Sequence, residues 1–250
     1  MSVDLSKYKK DFPIFARKVR GGNPLIYLDS GATSQKPESV ISAEANFYRT
    51  INAAVHRGAH LLAEEASEAY ESARANVAKF IGANTDEVVF TKSATESLNM
   101  VAYSLGNPGS TPHISAGDEI VVSEMEHHAN LIPWQQLAKR TVAKLTWFSI
   151  TKDGRLDLSD ISSVITKKTK IVAITHQSNV LGSIQPVETI VKASHAVGAL
   201  VVLDACQSAP HFALDVKKLD IDFLAFSGHK TLGPTGIGVL WGKYDLLEKL

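Results

Sequence analysis

Short apolar runs alternate along this chain with longer stretches whose apolar positions recur at helical spacing. The runs at Glu87–Thr91, Glu119–Ser123, Lys144–Ile150, Lys170–His176, Leu200–Ala205, Phe223–Phe226 and Gly238–Trp241 are β-rich, and several are apolar throughout. Continuous apolarity is the pattern of strands covered on both faces. Between them the spacing predicts helices over Pro37–Ile51, Leu61–Ile81, Ala94–Leu105, Asn130–Arg140, Leu158–Thr166 and Pro186–Val197. The second is rich in Ala, Glu and Arg, which are good helix formers. The last has Pro at its first turn and Gly198 just past its end, a matched start and stop. Such alternation predicts an α/β fold, a mostly parallel sheet in a three-layer α/β/α sandwich. Residues 1–36 read as an irregular N-terminal segment and residues 37–250 as one large domain. Gly106–Gly117 reads as a flexible loop, and Lys243–Leu250 as a helix that ends before any stop signal.

Composition narrows the function classes. With 26 basic and 26 acidic side chains there is no net charge, hence no electrostatic footprint for nucleic acid or an anionic membrane. The single cysteine, Cys206, excludes a disulfide framework and a cysteine-based zinc site. His127-His128 lacks the His-Glu-x-x-His spacing of a metal site, so no metal is expected. No apolar run approaches the roughly 18–20 residues of a membrane span. The start, Met1-Ser2-Val3-Asp4-Leu5, lacks a basic segment followed by an apolar one. A cytoplasmic protein is the expectation.

Open parallel sheets bind ligands beyond the carboxyl ends of their strands. There the sequence places Thr95, His127, Asn179, Asp204 and Lys230 at or just past the ends of five of the predicted strands. Each has an ordinary reading. Ser93 and Glu96 make a capping box, although the helix start they form is also a phosphate seat. His127 and His128 point to opposite sides of an extended chain, so only one can face a shared site. Asn179 suits a turn, and Asp204 could cap a helix. Convergence of all five on one edge is harder to explain that way. A lysine for an aldehyde and an aspartate for a pyridinium nitrogen are the protein groups that pyridoxal phosphate (PLP) chemistry needs. Two other motifs fail on spacing. Lys230-Thr231 is preceded by His229 and by Leu224 where a phosphate-binding loop needs glycines, and Gly233-x-x-Gly236-x-Gly238 runs into a strand rather than a helix.

Asp29-Ser30-Gly31-Ala32-Thr33, Val55-His56-Arg57-Gly58, Glu126-His127-His128-Ala129-Asn130, Asp204-Ala205-Cys206-Gln207 and Ser227-Gly228-His229-Lys230-Thr231-Leu232-Gly233-Pro234 together resemble the group II, Suf-type cysteine desulfurases. These belong to the class V aminotransferase superfamily with the fold-type I PLP architecture. The resemblance runs from about residue 12 to residue 250. It implies that residues 37–250 are the PLP-binding large domain. Lys230 then condenses with the cofactor aldehyde and later moves protons, Asp204 keeps the ring nitrogen protonated, and Gln207 bonds the phenolic oxygen. His127 stacks on the ring, while Asn179 lies near the phenolic oxygen and the substrate carboxylate. Ala94, Thr95, Ser227 and His229 hold the phosphate, and Ala32, His56, Arg57 and Asn179 lie on the substrate side, the histidine and arginine across a dimer interface.

The activity so implied converts L-cysteine to L-alanine and passes sulfur, as a persulfide, toward a sulfur-acceptor protein of iron–sulfur cluster assembly. A homodimer is implied for the full-length form. The family's nucleophilic cysteine and its carboxylate-gripping arginine lie in a C-terminal region without counterpart here, so a truncated chain is expected. Cys206, inside the strand-end Asp-Ala-Cys-Gln motif, reads as structural filler. The same motifs also suit a selenocysteine lyase, a cysteine sulfinate desulfinase or another class V PLP lyase. A non-catalytic fragment that only folds or dimerises is the reading outside that chemistry.

Overall fold

A computed structural model describes residues 4–250; Met1–Val3, part of the start read above as lacking a leader, lie outside the described residues. The helices are α1 (Glu38–Thr50), α2 (Leu61–Ile81), α3 (Ala94–Ser104), α4 (Ile132–Thr141), α5 (Ile161–Val164), α6 (Val187–Ala196), α7 (Val216–Leu219) and α8 (Tyr244–Leu247). The strands are β1 (Val88–Thr91), β2 (Glu119–Ser123), β3 (Lys144–Phe148), β4 (Thr169–Thr175), β5 (Leu200–Asp204), β6 (Phe223–Ser227) and β7 (Gly238–Gly242). They form one sheet in the order β1-β7-β6-β5-β4-β2-β3, with β7 antiparallel to both neighbours and every other pair parallel.

Strand periodicity sorts the core into two layers. Val172, Ile174, Val201 and Leu203 face α6 through Val187, Ile190 and Val191, together with Ala78 and Ile81 of α2. Ile171, Ala173 and Val202 face the other way, onto Leu98, Val101 and Leu105 of the α3 region and Trp134 and Leu137 of α4. Side chains two apart therefore share a layer, and helices cover both faces of the central strands.

Helix ends follow local chemistry. His60 Nδ1 accepts from the Ala63 amide at 3.3 Å to start α2, and Gly82, at φ +73°, ends it in the left-handed region. Leu158–Thr166 shrinks to the single turn of α5. The Asp157 carboxylate captures the Ser159 amide (3.0 Å) in a turn that competes with helix, and Asp160 caps the late start of α5 through the Ser163 amide (3.3 Å). Strand β3 stops at Phe148 because Ile150 pairs back with Leu156. The expected terminal helix is only the short α8, and α7 has no counterpart in the sequence pattern.

Topology positions the site. From β2 the chain steps outward to β3, then returns to β4 and proceeds through β5 and β6 in the opposite direction. Strand order thus reverses at the β2/β4 boundary, where open sheets form a ligand crevice at the strand ends. A Cβ on Gly238 would lie 2.4–2.7 Å from the Ser93 backbone. Only glycine lets β7 approach so closely, and that contact seats the start of α3 beside the end of β6.

Candidate active site at the strand ends

The crevice is a cleft of about 640 Å³, within the roughly 300–1,000 Å³ usual for cofactor sites. Its lining includes Ala32, Ala94, Thr95, His127, Asn179, Asp204, Gln207, Ser227, His229 and Lys230. His56 and Arg57 are not among the lining residues. His56 is held instead by Glu71 at 2.9 Å and lies edge-on to Tyr70.

Asp204 ends β5 on the cleft floor, 4% exposed. One carboxylate oxygen accepts the Cys206 amide at 2.9 Å; the other has no donor among the described residues. Asp204 also lines the cleft, where its carboxylate can accept from a bound donor. Lys230 sits in a 3-10 turn (Gly228–Lys230) directly after β6. The turn closes as the Thr231 and Gly233 amides donate to the Gly228 carbonyl at 2.9 and 2.8 Å. The Lys230 amine, half-buried, has no hydrogen-bond or ion-pair partner among the described residues.

The α3 start offers donors to an anion. Ser93 Oγ accepts the Glu96 amide at 3.3 Å, as the capping pattern predicts, but the Glu96 carboxylate returns to the Lys92 amide at 2.6 Å, one residue before the cap. The Ala94 amide donates to Ser227 Oγ at 2.9 Å. Ser227 can then turn its own proton into the cleft beside Thr95, an arrangement that suits a phosphate. His127 Nδ1 accepts the Ala129 amide at 3.1 Å, so in the neutral ring the proton is on Nε2.

Residues 28–36, in the segment expected to be irregular but carrying the Asp29–Thr33 motif and Ala32, build one wall. Gln207 Nε2 donates to the Gly31 carbonyl at 2.8 Å, leaving its second amide hydrogen available. The His229 carbonyl accepts from the Ser34 amide (2.9 Å) and from Lys36 Nζ (2.8 Å), and Thr33 Oγ1 lies 3.1 Å from His229 Nδ1. Ser34, Lys36 and Glu126 brace residues around the cleft and are given no role in the sequence reading. The Asp29–Thr33 motif is the one hint of this wall.

Electrostatics separates the groups. Desolvation, then the Lys230 and Lys36 charges, lower the His229 pKa, so its ring is neutral at neutral pH. Burial and the Asp204 charge push the Cys206 thiol well above its usual value. It is therefore a poor thiolate despite its place in the cleft. Burial also raises the Glu126 carboxyl to about 8 against three donors, and lowers His176 to about 4.

The last two shifts act on stability with opposite signs. Neutral His176 stabilises the fold above the unfolded value of 6.5, and this is lost as pH falls toward 4. Protonated Glu126 contributes fully below 4.5, and this is lost as pH rises toward 8. Between about pH 4.5 and 6.5 the slopes offset, so unfolding free energy should form a plateau there. From about pH 6.5 to 8 it should decline by about 1–2 kcal/mol. Urea unfolding across that range checks this, and Glu126→Gln should flatten the upper decline.

Fold and cleft together define an α/β protein with a cleft at its strand-order reversal, lined by an amine and a carboxylate. The model of the aminotransferase class-V family matches residues 26–250, and the chain belongs to that family. It is 56% identical over 249 residues to a probable cysteine desulfurase of Streptomyces coelicolor, covering 99% of this chain and 60% of that one. It is 46% identical over 261 residues to a cysteine desulfurase of Haloferax volcanii, again covering 99% and 60%. Among solved structures, the apo cysteine desulfurase of Thermococcus onnurineus superposes with a TM-score of 0.90 at 43% identity, covering 100% of this chain and 59% of that one. The cysteine desulfurase CsdA of Escherichia coli gives 0.85 at 39%, covering 100% and 60%. The chain thus spans about 60% of the length of the relatives it matches.

Proposed function

We propose that this chain carries the PLP-binding part of a cysteine desulfurase. The observation that carries the reading is the pairing of an unpartnered Lys230 amine with a free Asp204 carboxylate oxygen in one cleft. The donor set fits the cofactor: an amine for the aldehyde, a carboxylate for the ring nitrogen, and the α3 start with Ser227 for the phosphate. Bound there, PLP would supply a ring that withdraws electrons from the substrate α carbon.

The chain's own groups divide the remaining work. Asp204 holds a proton at the ring nitrogen. Lys230 anchors the aldehyde and, once displaced by the substrate amine, moves a proton at the α carbon. Gln207 and Asn179 position the phenolic oxygen, Thr95, Ser227 and His229 fix the phosphate end with Ala94 holding Ser227 through its amide, and His127 covers the ring. Ala32 lies on the substrate side. His56 and Arg57 would act only across a dimer.

The substrate proposed is L-cysteine and the amino-acid product L-alanine. The sulfur would pass to a thiolate as a persulfide and on to a sulfur-acceptor protein of iron–sulfur assembly. Cys206, the sole cysteine, is a poor candidate for that thiolate. This favours a second reading, in which the 250 residues bind the cofactor but need an outside thiol for turnover. Incubating the protein with PLP should produce a visible band that borohydride fixes to one peptide. L-cysteine, L-selenocysteine and cysteine sulfinate, each with and without added dithiothreitol, should then be compared for alanine release. Absence of a fixable band would sink the proposal. Alanine from cysteine only with the added thiol would support the second reading.

A further inference from the structure

We propose that Glu126 is a positioning residue. Its carboxyl ties the parted ends of β2 and β4 together at the strand-order reversal, and so sets His127 and the end of β4 against Asp204. The inference rests on the proposed PLP site for its functional consequence, but not for its geometry.

The β2–β4 ladder has its last register pair at Val121 and Val172. Beyond it the strands separate to open the cleft, and the Thr175 amide loses its ladder partner on that side. Glu126 Oε1 accepts that amide at 2.9 Å. On the other edge, Thr175 pairs in register with Asp204, and the His176 amide donates to the Asp204 carbonyl at 2.9 Å. Glu126 Oε1 also meets Ser123 Oγ at the end of β2, giving it the carboxyl proton when neutral and accepting the hydroxyl proton when ionised, and Oε2 accepts from Asn130 Nδ2 at 2.6 Å. Asn130 Oδ1 in turn accepts from Nε1 of Trp134, which is fully buried in α4. One side chain therefore joins the end of β2, the end of β4 and the start of α4. His127 is the next residue, and its ring enters the cleft. A side chain that merely filled space would not need all three donors.

The hydrogen-bond order gives a selective test. Trp134 fixes which way Asn130 points, so in Glu126→Gln the new amide opposes the Asn130 amide, donor against donor. In Glu126→Gln/Asn130→Asp the pair is reversed but complete. The introduced glutamine donates to the introduced aspartate while its oxygen still accepts from Thr175, and that aspartate still accepts from Trp134. Amide exchange should be followed by NMR without added cofactor, and the PLP dissociation constant measured separately. In Glu126→Ala and Glu126→Gln, Thr175 exchange should accelerate about tenfold or more, while Leu203 in the centre of β5 keeps wild-type protection. The PLP dissociation constant should rise about tenfold, and the double variant should recover both properties. If a single variant fails to fold, a folded double variant with a protected Thr175 amide supports the proposal. Unchanged Thr175 exchange in Glu126→Ala overturns it, as does a double variant no better than Glu126→Gln. If the wild type takes up no PLP, the proposed function fails, and Glu126 is judged on the exchange result alone.

Discussion

In Lys230→Ala, borohydride treatment after PLP addition should attach no pyridoxyl group to the chain, and the visible band should be lost. The effect should exceed roughly a thousandfold in the extent of labelling at equal PLP. An amine held beside the aldehyde gains the large effective concentration of a positioned group, about 10⁵ M or more when well oriented; free amines in solution cannot replace that. The competing amine in the neighbourhood is Lys36, whose pKa is lowered by desolvation and which on that ground alone would be a fair nucleophile. Its Nζ, however, donates to the His229 carbonyl at 2.8 Å and also to the Ser34 carbonyl. Lys36 is thus committed to holding the N-terminal wall, whereas Lys230 has no competing partner among the described residues. Lys36→Ala should therefore keep the label on the peptide containing Lys230. Lys230→Arg should behave like Lys230→Ala, because guanidinium stays charged and condenses poorly. Peptide mass spectrometry after reduction reads all three variants. Labelling that persisted in Lys230→Ala would reject the assignment, and transfer of the label to Lys36 in the wild type would reassign the anchor.

The parts of this molecule legible in its sequence are those governed by local rules. Helix α2 begins and ends where expected because His60 and Gly82 close its two ends, and β2 matches because its apolar centre, Ile120–Val122, is covered on both faces. Expectation and structure part where a side chain competes with the backbone, as Asp157 does ahead of the α5 cap. Strand order lies beyond reach for another reason. Nothing within Gly238–Gly242 records that it runs antiparallel between β6 and β1; that follows from where the whole chain has already gone. The site divides in the same way. Lys230, Asp204 and His127 stand out because each follows or ends a recognisable strand. Asp29–Thr33 shows as a motif, but Ser34 and Lys36 do not stand out, since they meet a backbone carbonyl far along the chain, and a carbonyl carries no sequence signal. Glu126 reads in sequence only as the neighbour of two histidines. Its partner, the Thr175 amide, is defined by the place where two strands stop pairing. Long-range backbone contacts form the largest class of information that pattern alone leaves out.

Asp222→Ala should cost about 3–5 kcal/mol in unfolding free energy, a large share of the roughly 5–15 kcal/mol typical of a domain. Asp222 is 3% exposed and lies just before β6. One carboxylate oxygen accepts the Val201 amide at 2.7 Å and His195 Nε2 at 2.9 Å; the other accepts Lys243 Nζ at 2.9 Å. Four elements therefore meet at this carboxylate: β5, β6, the last turn of α6 and the residue following β7. Removing it leaves the Val201 amide and His195 Nε2 without a partner, while Lys243 keeps only the more exposed Asp220 carboxylate at 2.9 Å, a larger loss than the net worth of the bonds themselves. The exposed pair Lys92–Glu96, at 3.6 Å, provides the contrast. Lys92→Ala should stay within about 0.5 kcal/mol, because water screens such pairs. Asp222→Asn should fall between, keeping one acceptor oxygen for Val201 and losing the charge that draws Lys243. Asp222 lies at the opposite end of the sheet from the cleft. Where the variant remains folded, its PLP dissociation constant should match the wild type, even though its urea midpoint falls. Urea unfolding without PLP and a binding titration at low temperature separate the two quantities. A loss below about 1 kcal/mol would show that His195 and Lys243 find water as readily as they find the carboxylate.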